Sequence, residues 1–251
     1  MKKIILASVF LILALGIQAN AVDSLFVKAN EAYTKEFYQE AVDQYQQIIA
    51  QGFESADLYF NLGNSYFKLE DYPSAILYFE KAKKLDPSDE DIEFNLQLAN
   101  LKIVDKIQPV PELFFKIWWK DFYNLFRGDT WAIIGVSGFI LFFILLAFYL
   151  LSKLTRIRKL AFFAGIFMLF VTLFTLGLAY QKHQYIISQK QAIVFTPTIT
   201  VKSSPNPNSV DLFVIHEGSK VDIRDEVSGW YEIKIANGSV GWLPADALKK
   251  I

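Results

Sequence analysis

The sequence predicts a multidomain membrane protein with three kinds of structure in series: an all-α repeat domain, two transmembrane helices and an all-β barrel. Three observations predict it. The segment after the first twenty-odd residues aligns with itself at a shift of 34 residues, a period of helix-turn-helix repeats. Two uncharged stretches, Trp131 to Leu151 and Leu160 to Tyr180, can each cross a hydrocarbon core of ~30 Å at ~1.5 Å per helical residue. The last sixty or so residues change to short period-two runs separated by turn residues.

Composition agrees with that division. The 251 residues are 53% hydrophobic and only 20% charged, with a mean hydropathy of +0.27, above an ordinary globular balance. The 23 Phe residues crowd into two windows, so the excess is regional. A net charge of −1 leaves no basic footprint for nucleic acid. The absence of cysteine excludes disulfides, thiolate metal sites and cysteine nucleophiles.

Residues 1–21 read as a signal peptide: Lys2 and Lys3, an apolar run from Ile4 to Ile17, then Ala19-Asn20-Ala21 as a small-x-small cleavage site. An uncleaved anchor is the alternative. Residues 22–105 carry the repeat, in which Ala29 aligns with Gly63, Asn30 with Asn64, Tyr38 with Tyr72, Ala41 with Ala75 and Tyr45 with Phe79. Gly63 and Ala75 are small where two helices must approach closely, Tyr66 and Phe79 fill the space beside them, and Pro87 ends the second helix. Beyond it Ser88 is expected to cap a third helix whose Phe94, Leu96, Leu98 and Leu101 cover the open face, as a cap or a half repeat. This part carries sixteen acidic and seven basic residues, which favours basic or neutral partners or serves solubility alone.

Residues 106–130 form a juxtamembrane segment. Glu112, Lys116, Lys120, Asn124 and Arg127 share one helical stripe, with Phe114, Phe115, Trp118, Trp119, Phe122 and Phe126 around the rest. That pattern suits the membrane surface, or packing against the repeats. The spans at 131–151 and 160–180 flank a loop, 152–159, with Lys153, Arg156, Arg158 and Lys159 and no acid, which is expected to face the cytoplasm. Both flanking regions then lie on the opposite side, the orientation that a signal peptide also gives.

After a linker at 181–191, residues 192–251 contain six period-two runs: Ala192 to Phe195, Thr198 to Val201, Asp211 to His216, Lys220 to Arg224, Trp230 to Ile235 and Ser239 to Leu243. Pro205-Asn206-Pro207-Asn208, Glu217-Gly218, Ser228-Gly229 and Asn237-Gly238 mark the loops between them, and the Asn-Gly pair is a strong hairpin signal. Of the two histidines, neither His183 nor His216 has a second ligand at metal-binding spacing, and no nucleotide-binding or nucleophile motif occurs. No cofactor, no metal and no enzymatic activity are expected.

Several of these segments resemble known families. Tyr59, Leu62, Gly63, Tyr66, Ala75, Phe79, Ala82 and Pro87 resemble the tetratricopeptide pattern, although the first copy departs from it at Lys28 and Phe53. This resemblance implies a concave groove for extended peptides or partner helices lined by Phe26, Asn30, Tyr33, Phe60, Asn64, Phe67, Lys68 and Phe94. The steps Val201-Lys202-Ser203-Ser204-Pro205, Glu217-Gly218-Ser219-Lys220-Val221, Gly229-Trp230-Tyr231 and Gly238-Ser239-Val240-Gly241-Trp242-Leu243 resemble the bacterial SH3 (SH3b) domain. There Trp242 would lie between core and groove, and Phe213, Trp230 and Tyr231 would form a ligand-facing aromatic surface for a protein partner or cell-wall peptide.

The order of all these parts, with the Val104-Asp105-Lys106-Ile107 exit, resembles the BatE family of the Bacteroides aerotolerance group. The resemblance implies an inner-membrane scaffold with both soluble domains in the periplasm, beside von Willebrand A domain membrane proteins and a MoxR-type ATPase. An envelope sensor reading cell-wall peptide through its SH3b domain is the competing reading.

Overall fold

The computed structural model describes residues 22–108, 110–111, 113–188 and 190–251, so the signal peptide expected at 1–21 and the stripe residue Glu112 lie outside the described residues. The chain divides into two compact units: one runs to Val110 and resumes at Lys190, the other covers Pro111–Gln189.

The helical part of the first unit comprises α1 (22–34), α2 (Tyr38–Ala50), α3 (Ala56–Lys68), α4 (Tyr72–Leu85) and α5 (Glu90–Asn100). Each turn has a local cause. Glu36 and Glu70, one repeat apart, both sit in the left-handed region at φ +65° and +63° and reverse the chain between paired helices. Ser55 caps α3 by accepting the Leu58 N–H at 3.1 Å, and Asp71 caps α4 through the Ser74 N–H at 3.1 Å. The cap of α5 is Asp89, not the expected Ser88: its carboxylate accepts the N–H groups of Asp91 and Ile92, whereas Ser88 is bonded back to Asp86. Carboxylates suit a helix N-terminus better than a hydroxyl because they also meet the dipole.

Packing follows the repeat. A Cβ built on Gly63 would stand 2.7 Å from the ring of Phe79, so the close approach expected there is real. Tyr45 and Phe79, equivalent residues of the two repeats, are fully buried beside Ala41 and Ala75. Ile92, Leu96 and Ala99 of α5 are buried over the second repeat, while Phe94 and Leu101 point to solvent.

The remaining segment of this unit folds into β1 (Gln191–Val194), β2 (Thr198–Lys202), β3 (Asp211–His216), β4 (Lys220–Val227), β5 (Trp230–Lys234), β6 (Val240–Pro244) and β7 (Leu248–Lys250), antiparallel in the order β3-β2-β6-β5-β4-β1-β7. Both edge strands send residues, Ile215 and Leu248, into one core with Val194, Val201, Val221, Ile233 and Leu243, so the sheet curls on itself as an SH3-like barrel. Ser228-Gly229 forms the two-residue β4–β5 turn, both at positive φ. Strand β7 escapes the sequence pattern because Leu-Lys-Lys shows no alternation.

Although expected as separate domains, repeats and barrel share a core. Ile193 of β1 is completely buried among Ala75, Ile76, Leu77, Phe79, Leu96 and Ala99, with Ile103, Phe195 and Ile251 packed around them. Gly218 sits at φ +84° where any Cβ would strike Ile103 at 2.4 Å, so this turn needs glycine for conformation and for space alike.

The second unit contains α6 (Phe114–Asn124), α7 (Gly128–Leu151) and α8 (Thr155–Ser188). The last two are long and apolar enough to cross a membrane. They are tightly paired: a Cβ on Gly135 would meet Leu176 at 2.6 Å, and one on Gly138 would meet the Thr172 hydroxyl at 2.7 Å. The expected eight-residue basic loop is shorter than drawn, since α8 begins at Thr155 and places Arg156, Arg158 and Lys159 on its first turns. At the other end α8 runs through most of the expected linker to Ser188, and Lys182 donates to the carbonyls of Phe126 at 2.6 Å and Tyr123 at 3.3 Å, tying the end of α6 to the hairpin. Nothing in α6 is buried, and its Phe114, Phe115, Trp118 and Trp119 are exposed.

Because Gly63 has no room for a side chain, Gly63→Val should destabilise the repeat region by about 1–3 kcal/mol. Thermal unfolding followed by circular dichroism should show a Tm lower by several degrees, and an unchanged Tm would refute the close contact.

Candidate interaction surfaces

The first helix of each repeat contributes equivalent residues to one face. At the 34-residue period α1, α3 and α5 carry Phe26, Phe60 and Phe94 in one row and Tyr33, Phe67 and Leu101 in another. Phe26 lies 5.9 Å from Tyr45 and Phe60 5.9 Å from Phe79, each half-buried against the second helix of its repeat. Helix α5 has no such partner among the described helices, and Phe94 is 60% exposed. Tyr33 and Phe67 make equivalent edge contacts with Tyr38 and Tyr72, and Lys68 is exposed at the end of α3.

Between the aromatic rows runs a polar ladder that sequence reasoning found only in part. The side-chain carbonyl of Asn30 accepts from the Asn61 amide at 3.1 Å and from the Tyr45 hydroxyl at 2.5 Å, and that of Asn64 accepts from Asn95 at 2.8 Å. Asn61 and Asn95 are themselves one period apart, so the same bond recurs at the next step. The recurrence puts α5 in the same relation to α3 that α3 has to α1. Both lone pairs of the Asn30 oxygen are engaged by these two bonds.

On the barrel, alternation along β5 turns Trp230, Glu232 and Lys234 outward and Tyr231 and Ile233 inward. Tyr231, expected on the ligand-facing surface, is therefore a core residue, 8% exposed, with the Lys250 ammonium 4.7 Å from its ring centroid. Its parity with Ile233 was the signal. Phe213 likewise leans on the core from β3. Trp242 pairs with Glu232 on β5 and with Lys202 on β2, and Lys202 makes an ion pair with Asp211. The outward aromatic face is thus the half-buried Trp242 with its diagonal neighbour Trp230, also half-buried, flanked by charge.

A third group joins the two domains. Asp105, just after α5, accepts the His216 N–H at 2.7 Å, meets His216 Nδ1 at 2.8 Å and accepts from the Ser219 hydroxyl at 2.6 Å. Lys220 reaches the nearly buried Glu80 of α4 at 2.7 Å, and Lys84 donates to the Ile251 carbonyl at 3.4 Å. Neither His216 nor Asp105 announces this in sequence, because 111 residues separate them. Burial raises the pKa of Asp105, but the hydrogen bonds from Ser219 and His216 outweigh it and hold the carboxyl below its usual value. Elsewhere burial pushes the hydroxyls of Tyr45 and Tyr66 up to about 12, in keeping with structural roles.

Residues 56–89 match the tetratricopeptide repeat family and residues 197–249 match the bacterial SH3 domain family. No curated protein matches the chain. Both are non-catalytic interaction domains, and the fold and surfaces define a binding protein built from them, with two apolar helices inserted between.

Since the ionised form of Asp105 is the one the fold favours, its contribution is present at neutral pH and lost as the pH falls below its ordinary value of 3.8. Asp105→Asn should cost about 1–3 kcal/mol at neutral pH by leaving donors without their carboxylate, and the loss should shrink in acid. Denaturant unfolding of both forms at neutral pH and near pH 3 tests this, and equal losses at the two would disprove it.

Proposed function

We propose that the protein is a membrane-anchored scaffold of an envelope complex, in which the repeat groove and the barrel recruit protein partners from one composite body. The observation that carries this reading is the shared core around Ile193 and Asp105. A body made from segments before and after α7–α8 cannot be divided by a bilayer. That supports a hairpin that enters and returns, with both flanks on one side. The basic turn at Lys153, Arg156, Arg158 and Lys159 marks the cytoplasmic end, so the body faces the periplasm of an inner membrane. On the family resemblance the partners are von Willebrand A domain membrane proteins, with a MoxR-type ATPase reached through them, and the role is oxygen or stress tolerance.

The second reading is an envelope sensor that holds cell-wall peptide on the barrel. Its support is the outward pair Trp230 and Trp242. Only three residues, Ser152 to Leu154, separate α7 from α8, which leaves little cytoplasmic surface to signal through and favours the scaffold.

Crosslinking in intact membranes, followed by recovery of a tagged chain, separates the two. Deleting the barrel is unsuitable because it would uncover the second repeat, so exposed residues are the better probes. Phe94→Ala with Lys68→Ala should reduce recovery of membrane-protein partners at least roughly tenfold if the groove is the docking site, a loss in the range of one interface hot spot. Unchanged recovery there, with wall fragments lost on Trp230→Ala and Trp242→Ala, would reverse the ranking.

A further inference from the structure

We propose that the closed end of the α7–α8 hairpin is a binding site for the phosphate headgroup of an anionic phospholipid, an inference that rests on these two helices spanning a bilayer. A cavity of about 480 Å³ opens there, lined by Tyr149 of α7 and Thr155, Arg158, Lys159, Phe162 and Phe163 of α8. The guanidinium of Arg158 lies over the Tyr149 ring at 5.5 Å from its centroid. Stacking on the ring face restrains the cation and leaves its N–H edge to meet a phosphate in bidentate fashion. Lys159 adds a second charge and Thr155 a hydroxyl donor.

Among the described residues of this unit nothing neutralises these cations. Lys153, Arg156, Arg158 and Lys159 make no ion pair among the described residues. The nearest described acid along α7 is Asp129 in its first turn, about 33 Å from the turn at 1.5 Å per residue. An anion from outside is the fitting partner, and the walls say which kind. Phe163, Phe167 and Phe170 form an exposed stripe along α8 leading away from the cavity, a surface for acyl chains that a free phosphate would not use. A second cavity at the same end, about 500 Å³, is lined by Ile144, Ala147, Phe148, Leu151, Ser152 and Ile157, with no charge, and offers a headgroup nothing. Basic recesses at the cytoplasmic ends of membrane helices suit anionic headgroups on electrostatic grounds.

The test uses the full chain in vesicles of phosphatidylcholine with phosphatidylglycerol, with each lipid spin-labelled in turn, and electron paramagnetic resonance to measure the immobilised fraction. Phosphatidylglycerol should be preferred, and Arg158→Gln or Lys159→Gln should each reduce that preference roughly fivefold, as removal of one charge at a membrane surface does. Lys153→Gln removes an equal charge outside the cavity and should reduce the preference by clearly less than either of these. Equal losses for all three variants would overturn the site in favour of diffuse attraction. Displacement of the labelled lipid by excess inorganic phosphate would overturn the lipid as occupant. Immobilisation of neither lipid would mean that the helices do not span, whereas immobilisation without headgroup preference would reject the site alone.

Discussion

Ile193 and Asp105 bring together chain segments that the two long apolar helices separate in sequence, and most of the architecture depends on that union. Complete burial of an isoleucine contributes about 1.5–3 kcal/mol from area alone. Around it Asp105 gathers one backbone and two side-chain groups of the barrel, while Lys220 compensates Glu80. These polar contacts add modest net stability but strong selectivity, since a buried carboxylate without its donors is costly. Five helices are a short helical stack whose last face would stand open, and the barrel covers part of it.

The same union constrains what the molecule can do. Repeats and barrel belong to one unit, so the surfaces of both are held in a fixed relation to each other. An Asn–Asn ladder holds successive first helices of the repeat region together. Aromatic residues that looked alike along the barrel serve different ends: Tyr231 fills the core, whereas Trp230 and Trp242 remain at the surface.

In the second unit the close helix pairing rests on Gly135 and Gly138 against Thr172, Thr175 and Leu176, and Lys182 fastens the end of α6 to the hairpin. The aromatic residues Phe114, Phe115, Trp118 and Trp119 of α6 are exposed. Charge is confined to the ends of this unit.

What the sequence by itself determined is everything with a local signature. The 34-residue period placed the paired helices, hydropathy placed α7 and α8, and glycine pairs placed the β4–β5 and β5–β6 turns, because backbone preference and one-sided burial repeat at a spacing that can be read along the chain. Tertiary structure alone decided the joining of Asp105 to His216, the entry of Ile193 into the repeat core, the choice of Asp89 over Ser88 as a cap and the extension of α8 into the basic segment. Each depends on which groups compete for the same neighbour in space, and contacts across more than a hundred residues leave no periodic trace in the chain.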